Sequence, residues 1–129
     1  MMRLSNTDSK GNAFREDVVN AVWRKARTVP GADPEKIRKD PCGAWIERDK
    51  FGVAVHKGTG WEIDHILPVE RGGTDKLNNL QALQWENNRQ KADSLILKCY
   101  ISNQHQTAPA VRKAEKVLAV FIAIVLCGF

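Results

Sequence analysis

The alternation of apolar and polar positions divides the 129-residue chain into a few readable stretches. Residues 1–11 are polar and predict a disordered, frayed end. From Ala13 to Arg27 the apolar residues Phe14, Val18 and Val22 recur at every fourth position, with Ala21, Trp23 and Ala26 beside them, which predicts a helix. Asn12 is placed to cap it and Pro30-Gly31 to end it. Asp33-Pro34-Glu35 reads as an N-cap with proline at the first helical position, opening a short helical turn through Ile37. Asp40-Pro41-Cys42-Gly43 breaks that turn. Beyond it, Trp45-Ile46 and Phe51 to Val55 flank a charged run, Glu47-Arg48-Asp49-Lys50, and predict two short extended pieces about a turn.

Trp61, Ile63 and Ile66 predict a strand that delivers Asp64 and His65 at its end, and Leu80-Gln81-Ala82-Leu83 predicts a returning strand. Between them Gly72-Gly73 marks a loop needing conformations other residues resist. Glu86 to Lys91 begins a helix. Ser94 to Ile101 is apolar enough to be buried, as helix continuation or as strand. After a polar linker, Thr107-Ala108-Pro109 opens a last helix through Val111, Ala114 and Leu118, and its end, Val117 to Cys127, is apolar on every side. That run would extend roughly 16 Å, about half a bilayer core. Arg112, Lys113 and Lys116 stop it from growing upstream, so packing within the chain or in a homodimer is favoured over membrane insertion.

A chain of this length holds one domain with a real core. The expected limits are a disordered 1–11, a domain over 12–101 with its core motif at 61–93, and a linker plus apolar helix over 102–129. Residues 1–60 carry 12 basic and 8 acidic side chains, residues 94–129 carry four and one, and residues 61–93 carry four and six. A slightly acidic centre between basic flanks suits a cation site that also meets phosphates. Arg24, Lys25 and Arg27 offer a phosphate contact, although a solvated helix face is the better reading. The cysteines Cys42, Cys99 and Cys127 are odd in number and widely spaced. Reduced thiols, with Cys42 buried, are therefore expected. The first eight residues lack the apolar region of a signal peptide, and a cytoplasmic location is expected.

The densest chemistry lies in 61–93. Trp61-Glu62-Ile63-Asp64-His65-Ile66-Leu67-Pro68 is followed by Gly72-Gly73-Thr74-Asp75, Asn78-Asn79-Leu80-Gln81 and Asn87-Asn88-Arg89-Gln90-Lys91. This order resembles the HNH endonucleases, whose motif runs Asp-His-Ile-x-Pro, a Gly-Gly loop, Asn-Leu-Gln and Asn-x-x-Lys. The resemblance implies an α+β fold with a ββα-metal (HNH/His-Me finger) core, here with an N-terminal helix and a C-terminal apolar helix. It implies a metal-dependent endonuclease acting on DNA. Position by position, His65 matches the general base, Asp64 and Asn88 the two metal ligands, and Asn79 the residue that braces the loop and orients the histidine. Lys91, with Arg89 beside it, matches a phosphate-holding position.

An Asp carboxylate and an Asn amide oxygen are hard ligands, which shifts the expected cofactor to Mg²⁺ or Mn²⁺. Gln84 and Asn87 stand where many relatives place zinc-ribbon cysteines, so no structural zinc is expected, with Trp85 packing in its place. The alternative function is a catalytically silent nucleic-acid-binding module on the same fold.

Overall fold

The computed structural model describes residues 3–102. Its order is helix α1 (Glu16–Lys25), strands β1 (Ile37–Lys39), β2 (Trp45–Glu47), β3 (Trp61–His65) and β4 (Leu80–Gln84), and helix α2 (Trp85–Lys91). β1 pairs antiparallel with β2, and β3 antiparallel with β4, as two separate two-stranded sheets. The fold is α+β, and β3, β4 and α2 form its ββα unit.

α1 carries Glu16 and Asp17 in its first turn and Arg24 and Lys25 in its last, charges that complement the helix dipole. Its buried side chains are Val19, Val22 and Trp23, with Phe14 and Val18 flanking. Val22 and Trp23 are thus buried as the spacing predicts, Phe14, Val18 and Ala26 pack at the edge of the core, and Val19 joins it. The helix is also shorter than predicted. Arg15 occupies the N-cap without a side-chain bond, while Asn12 donates its backbone N–H to Asp8 instead.

Trp61 sits at the centre of the core. It is fully buried, with Trp23 at 5.3 Å and Phe51 at 4.8 Å between ring centroids. Such aromatic pairs add about 1 kcal/mol each beyond the area they bury. The two faces of β3 serve different neighbours. Trp61, Ile63 and His65 turn towards α1, where the His65 ring lies 6.0 Å from Phe14. Glu62 and Asp64 turn towards α2.

Several expectations are corrected. Asp33 to Lys36 forms a turn rather than a helix, and Ile37 opens β1, because Trp45–Glu47 supplies a strand partner that local propensity could not see. Phe51 to Val55 is not a second strand; only Phe51 bridges, to Trp61. β3 ends at His65, and Ile66 lies beyond it, exposed. Residues 94–101 are irregular, with Leu95, Ile96 and Tyr100 exposed and only Ile101 inserted among the apolar residues of that stretch.

The thiols differ most. Cys42 and Cys99 form a disulfide, with Cα atoms 5.4 Å apart and a sequence separation of 57. Beside it a polar cluster closes the same corner. Asp40 accepts the backbone N–H groups of Cys42, Ala44 and Gln84 and the Asn87 amide. Asn87 Oδ1 accepts the N–H groups of Tyr100 and Ile101. That corner is held by Asp40, Asn87 and the disulfide. Trp85 is only half-buried, its indole N–H donating to Val55 O.

Composition alone predicts a frayed arm, yet residues 3–11 are seated. The N–H of Ile63 points off the outer edge of β3 and donates to Asn6 Oδ1 at 2.7 Å. A buried strand edge needs such an acceptor, and the arm supplies it. No helix among the described residues is long and apolar enough to cross a membrane. The apolar run 117–127 and its dimer or membrane alternatives lie outside the described residues.

Candidate active site

The site forms where β3 ends. The chain leaves His65 through an exposed loop, makes a 3₁₀ turn at Val69–Arg71 and reverses at Gly72, whose φ of 96° is left-handed. A Cβ at Gly73 would lie 1.7 Å from Leu67 O, so the loop closes this tightly only with glycine there. Asn79 ties both sides of the loop. Its Oδ1 accepts from Leu67 N at 2.8 Å, and its Nδ2 donates to Leu67 O and Thr74 O. Asn79 O also accepts from Ile66 N, the residue after His65.

The bracing brings Asp75, ten residues away, onto the imidazole. His65 Nε2 lies 2.7 Å from Asp75 Oδ1. Burial alone would raise the Asp75 carboxyl, but hydrogen bonds from His65 and from Ser9 outweigh it and hold it below the usual range. An ionised carboxylate only accepts, so in the neutral imidazole Nε2 carries the hydrogen and Nδ1 the lone pair. Nδ1 has no partner among the described residues. Ser9 in turn holds Asp75, its N–H donating at 2.9 Å and its hydroxyl at 2.6 Å.

On the other face of β3, Asp64 is buried. It accepts from Gln81, its cross-strand partner, at 2.9 Å. Lys91 Nζ lies 3.2 Å from its Oδ2 and donates to His65 O at 3.0 Å. Burial is the largest influence on Asp64 and pushes its carboxyl up, while Gln81 and Lys91 pull it back. Asn88 donates its Nδ2 to Glu62 at 2.8 Å, which leaves Oδ1 without a partner among the described residues. Asp64, His65 and Asn88 all line one cavity of about 540 Å³, whose further wall includes Arg3 and Asn6 of the arm.

Residues 49–94 match the HNH endonuclease family. Over this segment the chain is similar to that family. No curated protein and no solved structure matches the chain. The HNH assignment points to a nuclease-type function, and HNH nucleases in general use divalent metals.

The residues present suit such an ion. One carboxylate, one open amide oxygen and a roomy cavity fit a hard cation that keeps most of its water. No group of three or more His, Cys, Asp or Glu gathers as a metal site among the described residues. Asp64, His65, Asn79 and Asn88 thus come together around one end of β3. Lys91 faces inward, whereas Arg89 stays half-exposed on the wall of the cavity. Lys91 is buried against Asp64, and Arg89 lays Nε and Nη2 on Glu62, at 3.2 and 2.9 Å. Asp75 and Ser9 escaped the sequence reading. Asp75 follows the Gly-Gly-Thr of the motif directly, and its acidic side chain beside a glycine loop was the available signal.

Proposed function

We propose that the chain is a divalent-cation-dependent endonuclease that hydrolyses phosphodiester bonds in DNA. The observation that carries this reading is His65, fixed by Asp75 and opening on the same cavity as Asp64 and the open Asn88 amide oxygen. In hydrolysis a water adds to phosphorus while the bond to the leaving oxygen breaks. His65 Nδ1 takes the proton of that water. Asp75 holds the ring in the required tautomer and stabilises the imidazolium that results. Asn79 fixes the loop that carries Asp75. Asp64 and Asn88 Oδ1 would hold Mg²⁺ or Mn²⁺, which when bound stabilises charge on the leaving oxygen.

The Lys91 ammonium on Asp64 supports a second reading, a DNA-binding module without cleavage, since it already neutralises the carboxylate. Incubation of supercoiled plasmid with protein in EDTA, Mg²⁺ or Mn²⁺, with His65→Ala alongside, separates the two. The enzyme reading expects metal-dependent nicking that the variant lacks by at least about 100-fold. Wild-type protein that is folded, binds DNA and cuts with neither metal sinks it in favour of the module. The proportion of linear to nicked product then distinguishes a pair of chains acting together from a single chain.

A further inference from the structure

Lys91 is buried on Asp64, and Arg89, although half-exposed on the cavity wall, has its Nε and Nη2 taken up by Glu62. A cavity that receives a phosphodiester needs a cation whose donors are still open. Among the residues lining it, Arg3 has that character. Its Nη1 is tied to the arm itself, donating to Thr7 O at 2.8 Å and Thr7 Oγ1 at 3.2 Å. Its Nε is shut away from solvent and has no acceptor among the described residues. Its Nη2 lies 3.6 Å from Glu70 Oε1, beyond hydrogen-bond length, and the Glu70 side chain is 46% exposed. A half-exposed ion pair of that length holds weakly. The Nε–Nη2 edge is the fork that matches two oxygens of a carboxylate or phosphate. Arg89 shows the same edge filled by Glu62, whereas in Arg3 neither donor of that edge has a hydrogen-bond acceptor among the described residues.

The arm is held where this edge is useful. Asn6 fastens it to Ile63, one residue before Asp64, and Ser9 fastens it to the carboxylate that holds His65. An unsatisfied buried donor is costly and rare in a folded protein, and a phosphate oxygen would satisfy it.

We propose that the N-terminal arm completes the active site, with Arg3 receiving the phosphate group of the DNA through its Nε and Nη2 donors. The assignment rests on the nuclease reading for its catalytic consequence, but DNA binding tests it separately. Duplex binding is measured by fluorescence anisotropy in EDTA over a salt series, for wild type, Arg3→Ala and Arg3→Lys. Loss of one phosphate contact lowers the affinity of Arg3→Ala and reduces its log–log salt slope by about one unit. Unchanged affinity and slope overturn the proposal whether or not the protein cuts DNA.

Where wild type cuts, Arg3→Ala is expected to lose about 100-fold in kcat/KM. Arg3→Lys recovers little of it, since an ammonium lacks the fork. Added methylguanidinium restores part of the Arg3→Ala rate and none of the His65→Ala rate. Backbone amide signals of Ile63 and Ser9 show whether the arm stays docked in the variant. A docked arm with full wild-type cleavage, or a rate loss that guanidinium leaves untouched, rejects Arg3 as the phosphate contact.

Discussion

Lys91 Nζ sits 3.2 Å from Asp64 Oδ2 with both side chains almost wholly out of water. The pair joins the end of α2 to the end of β3, and the same ammonium holds the backbone carbonyl of His65. A buried charge that loses its partner is left uncompensated, a loss of about 3 kcal/mol. Lys91→Met should therefore destabilise the fold by roughly that amount in urea unfolding. The double variant Lys91→Met/Asp64→Asn should recover part of the loss, because no lone charge remains. If the single and double variants are equally unstable, packing of the Lys91 stem rather than the charge pair is what matters.

Asp75 is the second test. Its folded carboxyl titrates below its unfolded value, so the stability it adds is present above the ordinary carboxylate range and is lost as pH falls through the folded value. The stability gap between wild type and Asp75→Asn should be constant near pH 6 and close below about pH 3.8, the unfolded reference. Urea unfolding across pH 2.5 to 6.5 reads this directly. On the nuclease reading, cleavage by Asp75→Asn should fall by about 10- to 100-fold, since the histidine loses the group that fixes its proton. A gap that widens in acid would contradict the geometry at His65.

The disulfide makes a chemical prediction. Of the three cysteines, two are joined, so denatured but unreduced protein should titrate a single thiol. Closing a loop of 57 residues stabilises by about 4 kcal/mol in the chain-entropy account. Dithiothreitol or Cys99→Ser should lower stability by several kcal/mol, of the order given by that account. Three reactive thiols, or melts unaffected by reductant, would show the bond is absent.

The chemistry of the site was more legible in the sequence than the scaffold around it. Asp64, His65, Asn79 and Asn88 follow a motif whose spacing reflects a strand, a closed loop and the start of a helix, all local geometry. What escaped depends on contacts between distant residues. β1 reads as the end of a helical turn until Trp45–Glu47 pairs with it. The thiols look unrelated until the fold sets Cys99 beside Cys42. Lys91 and Arg89 carry ordinary phosphate-binding character, and only the alternation of β3 reveals that Glu62 and Asp64 already face them. The arm was the largest omission, because nothing in its polar composition announces the acceptor that Ile63 requires.

The contacts of that arm span long stretches of chain: Asn6 reaches Ile63 across 57 positions and Ser9 reaches Asp75 across 66. On a ribosome the arm emerges ahead of both partners, and neither exists until more than half of the described chain has been made. Long-range closures of this kind form late, after local pairs such as β3 with β4. The contacts that fix the histidine's proton geometry and the mouth of the cavity are therefore expected among the late ones to form. A nascent or half-folded chain would carry the motif intact and still hold an unfinished site.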